Sequence, residues 1–106
     1  MNTAQLVQRL REPSEAQVQR ACIELLCQLE IPFYRVGQRD ARGTQDAGVS
    51  DLIVLSPTKG VLFIEVKQPK GKVSRAQIQF ALDVVKACGR YEVIRSAQDL
   101  AKLLGA

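Results

Sequence analysis

The sequence predicts an α/β domain with an αβββαβ core, in which a mixed sheet containing an antiparallel hairpin is flanked by helices. Three observations predict it. Two apolar, strand-like runs, Asp51 to Leu55 and Val61 to Lys67, flank a short Ser56 to Gly60 segment whose proline and glycine mark a chain reversal. Two Ser-x-x-Gln boxes, Ser14 with Gln17 and Ser74 with Gln77, each open a stretch of apolar residues at helical spacing. The second of those helices separates the hairpin from a last short strand. A strand, helix, strand passage takes a right-handed crossover, so the last strand is expected parallel to the hairpin's second strand.

Each element has its own signal. Thr3 to Arg11 places Leu6, Val7 and Leu10 on one side of a short amphipathic helix that Pro13 stops. From the Ser14 cap a helix runs to about Leu29, with Val18, Cys22, Leu25, Leu26 and Leu29 inward. Pro32 to Gly37 reads as a first strand, and Gln38 to Ser50 as a polar, glycine-containing loop. After the hairpin, Gln68 to Val73 is a basic Pro/Gly turn. Ser74 caps the next helix, with Ile78, Ala81, Leu82 and Val85 as its expected core stripe and Gly89 as its stop. Arg90 to Arg95 is the last strand, and Ser96 caps a final helix through Leu100, Leu103 and Leu104. The 106 residues form one expected domain, with its core between about 14 and 104.

Composition narrows the function classes. The 46% hydrophobic and 25% charged content is that of a globular protein. No apolar run is long enough to span a bilayer and no signal-peptide segment is visible, so a cytoplasmic protein without membrane contact is expected. Histidine is absent, which removes Ser-His-Asp triads and most zinc sites. Three cysteines without a CxxC pair read as reduced thiols, with Cys22 and Cys88 expected in the core. A net charge of +4 fits an anionic partner. The basic residues cluster: Arg35, Arg39 and Arg42 precede the first hairpin strand, and Lys70, Lys72 and Arg75 follow the second. These six are the candidate nucleic-acid contacts.

The hairpin carries the chemistry. If the reversal is symmetric about Thr58, Leu55 faces Val61, Ile53 faces Phe63, and Asp51 lies opposite Glu65. Directly opposed like charges repel, so something positive is expected between them. A hard divalent cation with oxygen ligands fits, and the carbonyl of Val66 can add a third oxygen. Lys67 shares the face of Glu65, where an ammonium stabilises developing negative charge or holds a nucleophilic water. The hairpin therefore suggests metal-assisted hydrolysis of an anionic ester.

Two helix-start residues carry double readings. Glu15 at the first helical position complements the helix dipole, yet it also precedes Val18 and Cys22 on the buried stripe and can reach toward the hairpin acids. Gln77 completes a capping box, yet it lies four residues before Ala81 on the apolar side of its helix.

Asp51 and the Glu65, Val66, Lys67 group in an αβββαβ frame resemble the PD-(D/E)XK nuclease superfamily. The run Gly48-Val-Ser-Asp51, then Leu62 to Lys67, then Pro69 to Ser74, Gln77 and Gly89 resembles its VRR-NUC branch in standalone form. Ser50 departs from the proline of the superfamily's name, a backbone-shaping position. The resemblance implies a Mg²⁺- or Mn²⁺-dependent phosphodiesterase, with Asp51, Glu65 and the Val66 carbonyl as metal ligands and Lys67 as the catalytic lysine. It further implies that Glu15 is the acid on the first helix and a further metal ligand, and that Gln77 positions Lys67 or a water. Small standalone members resemble Holliday junction resolvases in being homodimers, which suits paired nicks in a four-way junction. The leading expectation is a structure-selective endonuclease on branched DNA. Its rivals are a nicking or flap nuclease without junction preference, a nucleic-acid-binding module without activity, and a structural ion-pair network of the acids with Lys67 and Arg75.

Overall fold

The computed structural model describes residues 2–36 and 50–106, apart from the side chains of residues 8–11. Four helices and four strands follow in the order α1 (Thr3–Arg11), α2 (Glu15–Gln28), β1 (Phe33–Arg35), β2 (Leu52–Ser56), β3 (Gly60–Val66), α3 (Arg75–Lys86), β4 (Arg90–Ile94) and α4 (Ala97–Leu104). The predicted αβββαβ core is present. Both capping boxes form: the Ser14 and Ser74 hydroxyls accept from the Gln17 and Gln77 backbone N–H groups at 3.2 Å, and each glutamine side chain accepts from its serine N–H at 2.8 Å.

The sheet order is β1-β2-β3-β4, antiparallel at its first two junctions and parallel between β3 and β4. Ile53 pairs with Phe63 and Leu55 with Val61, the register the Thr58 reversal predicts. Gly60 closes the turn at φ 79°, a left-handed conformation that a side chain would strain. The first strand is shorter than its sequence suggests, although Val36 N–H still reaches the Asp51 carbonyl at 2.8 Å.

Alternation along the strands divides the chain into two layers of contact. Leu52, Val54, Leu62, Ile64, Val66 and Ile94 point to one face, where Val18, Cys22 and Leu26 of α2 and Leu100 and Leu104 of α4 complete the apolar core. Phe63, Glu65 and Tyr91 point to the other face, beneath α3.

Helix α3 is rotated from its expected orientation. Ile78, Leu82 and Val85 are 50%, 51% and 62% exposed, while Val84 is buried and Phe80 faces the sheet. The cause is the aromatic floor: Phe80 packs edge-on against Phe63 at 5.8 Å and Tyr91 at 6.0 Å between ring centroids. One ring seated between two others outweighs aliphatic residues that find no facing pocket. The same rotation turns Gln77 toward Glu65.

Helix ends also differ from expectation. Leu29 is exposed rather than inward. The left-handed residue after α3 is Cys88, φ 63°, not Gly89; Gly89 N–H reaches the Val84 carbonyl at 2.8 Å and Cys88 N–H the Val85 carbonyl at 3.0 Å, a Schellman closure. Gly89 is needed for a different reason, because a Cβ there would stand 2.8 Å from Val84 Cγ1. Cys88 is accordingly exposed, against its expected core placement, whereas Cys22 is fully buried and its thiol is pushed up to about 11 by burial and then by Asp99.

Candidate active site

The end of the β2-β3 hairpin, the first turn of α3 and the first turn of α2 bring five of the predicted residues together. Asp51 stands one residue before β2. Its carbonyl holds β1 through Val36, and its carboxylate Oδ2 accepts from the Val66 N–H of β3 at 2.8 Å. Asp51 thus ties three strands at one corner of the sheet. Ser50 beside it is fully buried, its hydroxyl donating to the Leu52 carbonyl at 3.5 Å.

Glu65 is 2% exposed. Its Oε1 accepts from Gln77 Nε2 at 2.6 Å and lies 4.0 Å from Lys67 Nζ, while its Oε2 is buried with no partner. Burial pushes the Glu65 carboxyl up to about 8, and the neighbouring Asp51 carboxylate adds to the shift, against a smaller opposing effect of Lys67. This is the electrostatic conflict the hairpin register predicts. Two carboxyls share a site in which a hydrogen bond with Asp51 also favours the protonated Glu65, and with both ionised Oε2 has no donor, an arrangement short of positive charge.

Gln77 satisfies both of its readings at once. Its Oε1 is fixed by the Ser74 N–H of the capping box, so its Nε2 must present donors, and one goes to Glu65. The structure therefore places Gln77 against the carboxylate of Glu65. Glu15 is half exposed, with Oε1 3.8 Å from Lys67 Nζ. Lys67 stands between the two glutamates. Among the described residues no group of three acidic or sulfur ligands is close enough to hold one metal ion. The Asp51 and Glu65 pair, with its buried Oε2, supplies oxygens that fit a divalent cation, and Glu15, the other expected ligand, lies 3.8 Å from the Lys67 ammonium. Of Val66, the hydrogen bond described is that of its N–H to Asp51.

The basic candidates are distributed around this corner. Arg35 is exposed at the end of β1 opposite Leu52, and lines a shallow groove with Arg20 and Glu24 of α2. Lys70 is exposed and 3.2 Å from Glu12, Lys72 is exposed, and Arg75 opens α3. Among the described residues Arg75 joins no ion pair with the acids, so the structural network expected of it is not formed. Arg39, Arg42 and Gly48 lie outside the described residues.

Two side chains that sequence reasoning passed over also bear on the corner. Arg95 Nη1 donates to the carbonyls of Gln68 at 3.0 Å, Pro69 at 3.2 Å and Gly71 at 2.7 Å, clamping the turn that follows Lys67. Tyr91 shares the face of Glu65 on the adjacent strand, and its hydroxyl is buried without a partner. An arginine following a strand and a tyrosine in an edge strand are common, so neither carried a signal before the strands were paired.

The family model of the VRR-NUC domain matches residues 33–98, well over half of the chain and including Asp51, Glu65, Val66, Lys67 and Gln77 but not Glu15. No significant match was found among curated proteins or among solved structures.

Proposed function

The chain belongs to the VRR-NUC family, a domain of nuclease type, and from that premise we propose that it is a Mg²⁺- or Mn²⁺-dependent DNA endonuclease selective for branched structures such as four-way junctions. The observation that carries the metal-dependent reading is the buried Glu65 Oε2, unpartnered beside the Asp51 carboxylate. A buried unpaired oxygen costs about 1–3 kcal/mol, more when charged, and a cation held by both carboxylates removes that cost.

Each residue then has a task. Asp51 and Glu65 hold the ion, which when bound neutralises phosphate charge and acidifies a water. Gln77 anchors Glu65 Oε1, leaving Oε2 for the ion. Lys67 places its ammonium where negative charge grows on the phosphate oxygens during in-line attack, and no covalent enzyme intermediate is required. Glu15 holds Lys67 from the far side and keeps it extended. The exposed basic residues contact the phosphate backbone, which favours recognition of DNA shape over base sequence. A homodimer suits paired cuts, and the exposed Ile78, Leu82 and Val85 row on α3, together with Leu6 and Val7 on α1, supplies apolar surface for it.

Labelled junction, flap and linear duplex incubated with the protein and Mn²⁺ test the reading. Junction cleavage above the others, lost in Asp51→Asn, Glu65→Gln and Lys67→Ala, is expected. Equal cleavage of flap or nicked duplex moves the assignment to a nuclease without junction preference. No cleavage of any substrate, with DNA binding retained in Glu65→Gln, makes it a binding module.

A further inference from the structure

We propose that Tyr91 is a positioning residue of this site, its hydroxyl holding a water against the Asp51 and Glu65 carboxyls. The proposal rests on the nuclease reading above and shares with it the buried Glu65 Oε2; the Tyr91 hydroxyl and its place in the sheet are added observations. Tyr91 pairs with Phe63 in the parallel β3-β4 ladder, and Val93 pairs with Glu65. Tyr91 and Glu65 are therefore diagonal neighbours on one sheet face, with Cβ atoms about 7–8 Å apart, within the reach of a tyrosine side chain. The ring is held by its edge contact with Phe80 at 6.0 Å between centroids, and Phe80 is held in turn by Phe63.

The hydroxyl so placed is buried and has no partner, and Glu65 Oε2 is in the same condition. Two orphaned polar atoms on one face are satisfied together by one water, which in the metal-free protein accepts from the Tyr91 O–H and from the protonated Glu65 Oε2 and donates to an Asp51 oxygen. Three hydrogen bonds are the usual complement of a buried water. The electrostatics agree: the Tyr91 phenol is pushed up to about 12 by burial and then by the charges of Glu65 and Asp51, so it stays a neutral donor. A phenylalanine would fill the same space without the donor.

The sequence has two tyrosines and no tryptophan, so Tyr34→Phe leaves Tyr91 as the only tyrosine, and Tyr34 is 63% exposed. The ultraviolet resonance Raman doublet of Tyr91 in Tyr34→Phe protein without metal is expected to report a hydrogen-bonded, donating hydroxyl. In Tyr34→Phe with Glu65→Leu the water loses one of its two carboxyl partners, and the doublet shifts toward that of a less strongly hydrogen-bonded hydroxyl. A doublet identical in the two proteins overturns the proposal. In a cleavage assay Tyr91→Phe is expected to lower kcat about five-fold, the worth of one ordinary hydrogen bond, with KM for DNA and thermal stability unchanged. An unchanged kcat in an active enzyme also overturns it. If the protein cleaves nothing, the nuclease reading fails, and the Raman comparison still decides whether Tyr91 and Glu65 are linked.

Discussion

Glu65 is the residue on which burial, charge and chemistry meet. Its carboxyl is raised from the ordinary carboxylate range to about 8, so the folded metal-free protein binds a proton there that the unfolded chain releases near pH 4.5. Between those values the folded state holds more protons than the unfolded one, and stability falls as pH rises. Thermal unfolding without divalent ions should therefore show a midpoint that declines from pH 5 to 8, and Glu65→Gln should flatten the decline. A profile rising across that window would contradict the raised carboxyl. A cation needs the carboxylate form, so below pH 8 its binding should release close to one proton. Calorimetry of Mg²⁺ or Mn²⁺ in buffers of different ionisation enthalpy measures that number directly. Gln77→Leu removes the donor on Oε1 and should raise the carboxyl further, weakening ion binding at pH 7.

At the scale of elements, two junctions hold the site's surroundings. The α3 terminus keeps a left-handed Cys88 and a glycine pressed on Val84. Gly89→Ala should cost roughly 1–3 kcal/mol by overpacking Val84, while Cys88→Gly should be neutral or stabilising by about 1 kcal/mol. Urea unfolding of the two variants checks the contrast, and the reverse order would mean that the closure is misassigned. The second junction is Arg95, which follows β4 and gathers three carbonyls of the turn carrying Lys70, while its own N–H is held by Asp99 Oδ2 at 3.2 Å. Arg95→Ala should release the turn, making Lys70 and Lys72 faster sites of trypsin cleavage and raising KM for DNA several-fold with little change in kcat. Arg95→Lys keeps three donors on one nitrogen, as Nη1 serves all three carbonyls, but on a shorter and more flexible stem, and should rescue only in part.

For the whole molecule, the sheet separates stability from chemistry. Among the described residues the layer under α2 and α4 buries no charged side chain, whereas the opposite face carries Glu65, Tyr91 and Gln77 beneath α3. No helix among the described residues is long and apolar enough to cross a membrane. The exposed row on α3 is a consequence of seating Phe80, and it gives the proposed dimer a larger apolar surface than Leu6 and Val7 on α1. Leu82→Glu should convert a dimer to monomer in light scattering, and a deletion of residues 1–11 should leave it intact. The opposite outcome returns the interface to α1, where Leu6 and Val7 are exposed. DNA affinity should fall steeply with salt, and Lys70→Ala with Lys72→Ala should reduce that slope by about the two phosphate contacts removed.

What the sequence by itself determined is local and periodic. Alternation and the Pro57/Gly60 reversal set the register that brings Asp51 toward Glu65, the Ser-x-x-Gln boxes set two helix starts, and the order of motifs gave the family. These follow from neighbours along the chain, where one side chain's partner lies two to four residues away or directly across a tight turn. Only the tertiary structure decided which way α3 faces, because Ile78, Leu82 and Val85 make as good a stripe in sequence as Gln77, Phe80 and Val84. The choice depends on Phe63 and Tyr91, rings that reach the helix from two strands on either side of it in the chain. It also decided that Gln77 serves both its cap and Glu65, that Glu15 meets Lys67, and that Arg95 clamps a turn more than twenty residues before it. Those contacts join residues far apart in sequence, and no periodicity encodes them.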